Sequence, residues 1–333
     1  MKLLIALLVL LSAATLVVAQ TPDVDVVRVE ADVTNLPFTA TDKDHRFLTT
    51  LKAEDLRVLE DGVPQKLFTF QRETDRPLAI SLLIDVSISQ ENTLPLEKEA
   101  ARSFIENVMQ SGKDQAAIIP FTGLPFLEQT LTRETLKIYN ALQNVQVAAP
   151  AYLGTGKPLT GIATGPGMRA VPADGTTALW DAISLTAQDV MAQSAGQRRR
   201  VIILLTDGWD TSSRLRRKDA VDQALGAETV VYSIGIGDSK KDGINKESLK
   251  EIAEKTGGRA FFPKKEADLT SAFKDIETEL RTQYLIAYSS SNKNRDGGYR
   301  KIDIEITNPE LSKQKIEFRH RPGYFAKNQT AER

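Results

Sequence analysis

From Pro77 onward, short apolar runs alternate with stretches whose apolar residues recur at helical spacing, and this alternation constrains the fold more than any other feature. Ala79–Asp85, Ala116–Phe121, Val201–Thr206 and Val230–Ile236 are apolar runs of strand length. Helical spacing marks Leu96–Met109, Glu134–Leu142, Ala178–Met191, Lys218–Leu225, Lys246–Lys255 and Asp268–Arg281, and shorter strands are expected at about Phe126–Leu131 and Arg259–Phe262. Strands that are apolar on both sides need cover on both faces, which helices in the connections provide. The expected fold over residues 77–281 is α/β: a doubly wound, mostly parallel six-stranded sheet with helices on both faces.

The grammar differs on either side. Residues 20–76 are strand-like: Val24–Val33 alternates in part, and Gly62-Val63-Pro64 reads as a turn between Leu56–Leu59 and Lys66–Phe70. After Arg281 the β pattern returns at Tyr284–Tyr288, Tyr299–Ile306 and Lys315–Arg319, with a turn at Asp296-Gly297-Gly298. Neither segment alone can bury much surface, so 20–76 and 282–325 are expected to pack together as a small discontinuous β-rich domain, leaving 326–333 as a tail. Ala148–Asp174, rich in Gly, Pro, Ala and Thr, reads as a long loop, either functional or a plain insertion.

The first 19 residues have the form of an export signal: Lys2, the apolar run Leu3–Leu11, then Val17-Val18-Ala19 before Gln20. Cleavage after Ala19 is the first reading and an uncleaved membrane anchor the alternative. No later stretch has the length of a membrane helix, so with the export signal the rest of the chain is expected outside the cytoplasm, as periplasmic, cell-surface or secreted. The chain contains no cysteine, so disulfides, thiolate metal sites and cysteine nucleophiles are excluded. A formal net charge of −1 without a broad basic face argues against nucleic acid as a partner. The runs Arg198-Arg199-Arg200 and Arg214–Lys218 read as solvated flanks.

Three pieces fall at the ends of expected strands or the starts of helices: Asp85-Val86-Ser87-Ile88-Ser89, Thr177 in Gly175-Thr176-Thr177-Ala178-Leu179, and Asp207 in Leu204-Leu205-Thr206-Asp207-Gly208. In open α/β sheets the crevice beyond the carboxyl ends of the strands is the ligand site. These side chains offer hydroxyl and carboxylate oxygens only, a set for a hard cation such as Mg²⁺, with Mn²⁺ or Ca²⁺ as alternatives. Two carboxylates leave a divalent ion near neutral, and an anion in an open position would be attracted. The bland alternative is that Ser87 and Thr177 cap helices and Asp207 shapes a turn.

Asp85-x-Ser87-x-Ser89, Thr177 and Asp207 together resemble the metal-ion-dependent adhesion site of von Willebrand factor A domains, over roughly Pro77–Leu280. The resemblance implies that Ser87, Ser89 and Thr177 bind the ion directly, that Asp85 and Asp207 stand close by or act through water, and that a partner's Asp or Glu completes the shell. Ile88 stands where many members have glycine, and Thr176 competes with Thr177 for its role. The hairpin Asp61–Gln65 and the tail near Arg321-Pro322-Gly323-Tyr324 are similar to those of a bacterial exported subgroup.

Other chemistry finds little material. His45 and His320 are the only histidines and read as surface residues. Gly154-Thr155-Gly156-Lys157 is followed by Pro158 where a phosphate loop needs Ser or Thr. Asp42-Lys43-Asp44 opens like a calcium loop, but Phe47 and Ala53 occupy the glycine and glutamate positions. Asp85 as a phosphoryl nucleophile lacks an acid or a cationic clamp nearby. The sequence therefore points to a non-enzymatic, metal-dependent protein-binding module, with an envelope scaffold independent of metal as the alternative.

Overall fold

The computed structural model describes residues 33–72, 76–123, 125–147, 157–158, 176–194, 198–237 and 243–328, all within the unit Val33–Arg333. The export segment, most of the expected strand Val24–Val33, the Gly154–Gly156 stretch and most of the Ala148–Asp174 loop lie outside the described residues. In chain order come β1 (Val33–Thr41), β2 (Leu56–Glu60), β3 (Val63–Pro64) and β4 (Leu67–Arg72). The alternating part follows as β5 (Leu78–Asp85), α1 (Leu94–Val108), β6 (Gln115–Phe121), β7 (Phe126–Leu127), β8 (Gln129–Thr132), α2 (Thr135–Asn144) and β9 (Lys157–Pro158). It continues with α3 (Leu179–Leu185), β10 (Arg199–Thr206), α4 (Arg217–Gly226), β11 (Thr229–Gly235), α5 (Lys246–Thr256), β12 (Ala260–Phe261) and α6 (Glu266–Thr282). Last are β13 (Tyr284–Ser289), β14 (Tyr299–Ile306), α7 (Pro309–Ser312), β15 (Glu317–His320) and β16 (Gly323–Phe325).

β5 is buried along its whole length because it lies inside a six-stranded sheet of order β12-β11-β10-β5-β6-β8. The strands run parallel except β8, which lies antiparallel to β6 at the edge. Alternate side chains enter two cores. Leu78, Ile80, Leu82 and Ile84 meet Phe104 and Ile105 of α1, Ile138 of α2 and Phe273 and Ile276 of α6. Ala79 and Leu83 meet Leu179 and Ile183 of α3, Ala220 and Ala224 of α4, and Leu249 and Ile252 of α5. Each leucine or isoleucine so buried contributes about 1.5–3 kcal/mol before chain entropy is charged against it. The result is the expected α/β architecture, helices on both faces.

A third core, built on Leu36, Phe38, Val58, Tyr284, Ile286 and Tyr288, belongs to two antiparallel sheets that mix N- and C-terminal strands. One has the order β15-β1-β13-β4 and the other β16-β14-β2-β3. The structure corrects the expected hairpin between Leu56–Leu59 and Lys66–Phe70. The turn is Asp61-Gly62, with both φ positive, β2 turns back onto the short β3, and β4 leaves for the other sheet to pair with β13. Asp61 and Gln65, the hairpin motif residues, clip the N-terminal β segment to the C-terminal one. The Lys301 amide donates to Asp61 Oδ1 at 2.9 Å, and the Ser291 amide to Gln65 Oε1 at 2.8 Å. Two smaller corrections follow. The expected strand Phe126–Leu131 is split into β7 and β8, and the helix expected over Ala178–Met191 is α-helical only to Leu185, with a π-helical turn over Thr186–Met191.

Candidate metal centre

Asp85 ends β5, the strand at the heart of the sheet, and its side chain is fully buried. The parallel register that pairs Ile84 with Leu205 sets Thr206 of β10 beside it, and the Thr206 hydroxyl donates to Asp85 Oδ2 at 2.6 Å. The Ser87 amide donates to Asp85 Oδ1 at 2.9 Å, so the strand end folds back on itself. Burial pushes the Asp85 carboxyl up to about 6, and the neighbouring Asp207 adds to the rise while the two hydroxyl-bearing neighbours oppose it.

Ser87 precedes the short 3₁₀ turn Ile88–Gln90, yet its hydroxyl caps nothing. It lies instead 3.0 Å from Ser89 Oγ, and Ser89 Oγ donates to Asp207 Oδ2 at 2.8 Å. The two loops that leave the carboxyl ends of β5 and β10 are thus joined through their oxygens. Gln90, buried beneath them, reaches Ser89 Oγ and the carbonyl of Ile236 through its amide nitrogen, tying the serine loop to the end of β11.

Asp207 does shape a turn, since Oδ1 accepts the Trp209 amide at 3.1 Å, but Oδ2 faces Ser89. The Asp207 loop also holds Thr177. Thr211 Oγ1 accepts the Thr177 amide at 2.8 Å, and the Thr177 carbonyl accepts the Thr211 and Ser212 amides. Beyond it, Asp210 Oδ1 accepts the Leu179 amide, and Ser213 Oγ accepts the Trp180 and Asp181 amides. The N-terminus of α3 is therefore capped from across space and not by Thr177. Thr176 has a different setting. Its carbonyl accepts the Thr122 hydroxyl at 2.7 Å, and its own hydroxyl stands against Gly123.

Two family models, each described as von Willebrand factor type A domain, match residues 80–209 and 168–275, together more than half of the chain. The chain carries a von Willebrand factor type A domain. Among solved structures of similar fold is proximal thread matrix protein 1 from the mussel byssus, 17% identical over 67% of this chain and 51% of that one, with a TM-score of 0.50. A second structure of that protein, described as having a zinc-occupied MIDAS motif, is 18% identical over 66% and 50%, with a TM-score of 0.50. A von Willebrand factor type A protein from Catenulispora acidiphila is 13% identical over 91% of this chain and 75% of that one, with a TM-score of 0.48. At these identities the likeness is one of fold. The chain spans about half the length of the mussel protein. No curated protein matches it by sequence.

Within this von Willebrand factor A domain the expected residues gather as follows. Asp85, Ser87, Ser89 and Asp207 form one hydrogen-bonded group, and Thr177 is held by the same loop that carries Asp207. Among the described residues no three carboxylate or histidine side chains converge as a cage. The donor set fits a hard divalent ion: oxygens only, hydroxyls not used as caps, and a buried carboxyl that a positive charge would keep ionised. The side chains that could hold a divalent ion at this place are those of Asp85, Ser87, Ser89, Thr177 and Asp207.

Gln90, Asp210, Thr211 and Ser213, which hold the loops in place, carry no motif in the sequence, and Thr206 stands in the Asp207 motif without a role that the motif discloses. Their signal was there in Thr206–Ser213, a dense run of hydroxyls and carboxylates directly after an apolar strand. The arginine run that leads into β10 is only partly solvated, with Arg199 buried and Arg198 and Arg200 half-buried. Arg198 donates to the Lys113 carbonyl, Arg199 to the Leu280 carbonyl and Gln283, and Arg200 to the Ala227 carbonyl. His45 is exposed as expected, whereas His320 is half-buried with Nδ1 2.7 Å from the Arg321 carbonyl. The calcium-like start at Asp42 closes on itself, its carboxylate taking the amides of Asp44 and Arg46 and the Arg46 guanidinium. Among the described residues no helix is long and apolar enough to cross a membrane.

Proposed function

We propose that this von Willebrand factor A protein is an exported, non-enzymatic binding module. In this reading residues 77–281 hold a divalent cation, Mg²⁺ first and Mn²⁺ or Ca²⁺ as alternatives, at Asp85, Ser87, Ser89, Thr177 and Asp207. The cation captures an Asp or Glu side chain of a protein partner. The β-rich segments 20–76 and 282–325 support that domain. One observation carries the reading: the Ser87–Ser89–Asp207 chain of oxygens above a buried Asp85, with neither serine nor threonine hydroxyl capping a helix. The bound ion supplies a positive centre with a position open to an anion: Asp85 and Asp207 offset its charge from nearby, but the hydroxyls that would touch it are neutral, weak donors, so a partner's carboxylate is still drawn to the open position. The zinc in the MIDAS motif of the mussel protein is a precedent for a divalent ion on this fold. The Lys2, Leu3–Leu11 and Val17-Val18-Ala19 pattern supports export.

The test is calorimetric titration of the chelator-stripped chain, starting at Gln20, with Mg²⁺ and Mn²⁺, beside Ser87→Ala and Asp207→Ala. Saturable binding in the parent, lost in both variants with their circular dichroism unchanged, is the expected result. A folded parent that binds neither ion, alone or with a glutamate peptide present, would refute the metal reading and favour the scaffold.

A further inference from the structure

The two loops that join at the Ser89–Asp207 hydrogen bond each carry a large apolar side chain out into solvent. Ile88, between the two serines, is 54% exposed, and Trp209, two residues after Asp207, is 43% exposed. A lone apolar residue on a surface needs no explanation. These two differ because each is fixed by its own loop beside the oxygens of the site. Ile88 heads the turn whose neighbours Ser87 and Ser89 bear the hydroxyls. The Trp209 amide is bonded to Asp207 Oδ1, and its indole nitrogen donates to the Gly243 carbonyl at 3.3 Å, which holds the ring in place without covering it. The other tryptophan, Trp180, is buried, so Trp209 is the one open to solvent.

We propose that the partner's acidic residue is flanked in sequence by a large apolar or aromatic residue that packs on Ile88 and Trp209 while the carboxylate meets the cation. This rests on the metal-dependent capture proposed above and names the kind of peptide captured. The argument is one of complementarity: a site that attracts a carboxylate and bears an exposed apolar side chain on each of its two loops rewards a ligand carrying both. Burying one aromatic ring's worth of contact there removes apolar area from water on both sides. A flat tryptophan with few rotatable bonds makes such contact with little loss of entropy. A strongly hydrophilic acidic segment would gain the charge interaction alone.

The experiment uses acetylated, amidated tripeptides Gly-Glu-Gly, Phe-Glu-Gly, Gly-Glu-Phe and Phe-Gln-Gly, titrated into the Mg²⁺-loaded chain by calorimetry and by Trp209 fluorescence. At least one phenylalanine–glutamate peptide should bind about tenfold more tightly than Gly-Glu-Gly and shift the tryptophan emission to the blue. Trp209→Ala and Ile88→Ser should each shrink that preference several-fold, with Mg²⁺ titrations of the same variants reporting on the ion site separately. Equal affinity of Gly-Glu-Gly and both phenylalanine peptides overturns the proposal while leaving carboxylate capture standing. Phe-Gln-Gly binding as well as Phe-Glu-Gly, or a chain that binds no Mg²⁺, overturns capture and this inference with it.

Discussion

Glu97 lies in the first turn of α1, 1% exposed, with no hydrogen-bond partner for either carboxylate oxygen, and the Thr93 hydroxyl one turn before it is bonded to Gln90. Burial pushes its carboxyl up to about 8, with the nearby Thr93 hydroxyl opposing the rise and Asp85 and Asp207 adding their negative field. The sign of the consequence is fixed by linkage. A carboxyl whose folded value is raised binds its proton more tightly in the native state, so the stabilisation is complete below about pH 4.5 and is lost as pH rises through about 8. For the chelator-stripped protein, Glu97→Gln should leave the melting temperature near that of the parent at about pH 5. At about pH 8 it should raise stability by an amount on the order of a few kcal/mol. Thermal melts across that range decide it, and a variant less stable than the parent at every pH would show that Glu97 has a partner after all. Saturating Mg²⁺ should narrow the gap at high pH, since a nearby dication offsets the same negative field.

At the scale of elements, the turn that follows β10 is tightly constrained. Gly208 has φ +83, and a Cβ there would fall 2.8 Å from Leu249 Cγ of α5 and 3.0 Å from the Asn245 carbonyl. Gly62, in the β2–β3 turn, has nearly the same φ, +82, with nothing within 4 Å. Alanine at Gly62 should cost only the left-handed backbone, about 1–2 kcal/mol. Alanine at Gly208 should cost a further ~1–3 kcal/mol through crowding and weaken Mg²⁺ binding, because Asp207 and Trp209 flank it. Denaturant unfolding of the pair checks this, and equal costs would mean that α5 yields freely. Elements of this kind also mark the limit of what the sequence disclosed. β5, β10 and α1 were legible because burial on two faces or one stripe writes itself into residue spacing, and Asp85, Ser87, Ser89 and Asp207 were legible because they sit where those strands end. The partnership of β4 with β13 was not, since an alternating pattern states which face is buried and not which strand lies alongside. β16 escaped notice because three residues carry no period. The π turn at Thr186–Met191 keeps an apolar spacing too close to that of an α-helix to be told apart.

Across the described residues, the C-terminal strands are tied to the central sheet through buried polar groups. Glu279 of α6, 1% exposed, accepts from the Tyr232 hydroxyl of β11 at 3.1 Å and from the Arg319 guanidinium of β15 at 3.2 Å. Arg199 of β10 reaches Gln283 just before β13. β13 itself lies between β1 and β4, so the C-terminal strands complete a sheet that the N-terminal strands begin. If these contacts make one folding unit, a chain ending at Thr282 loses more than a module. Leu36 and Phe38 lose the cover of β13, and Glu279 is left buried without its cation. That truncation should fail to give a soluble, cooperatively melting protein, although every strand of the six-stranded sheet is retained. Arg319→Met is the gentler form of the same test. With the Glu279 carboxyl already raised by burial, removal of the guanidinium should cost on the order of 2 kcal/mol and still leave a single melting transition, because the segments unfold together. Two resolved transitions by calorimetry would mean that the β sheets and the metal-site domain are stable independently of each other, and that the buried contacts between them are incidental to the fold.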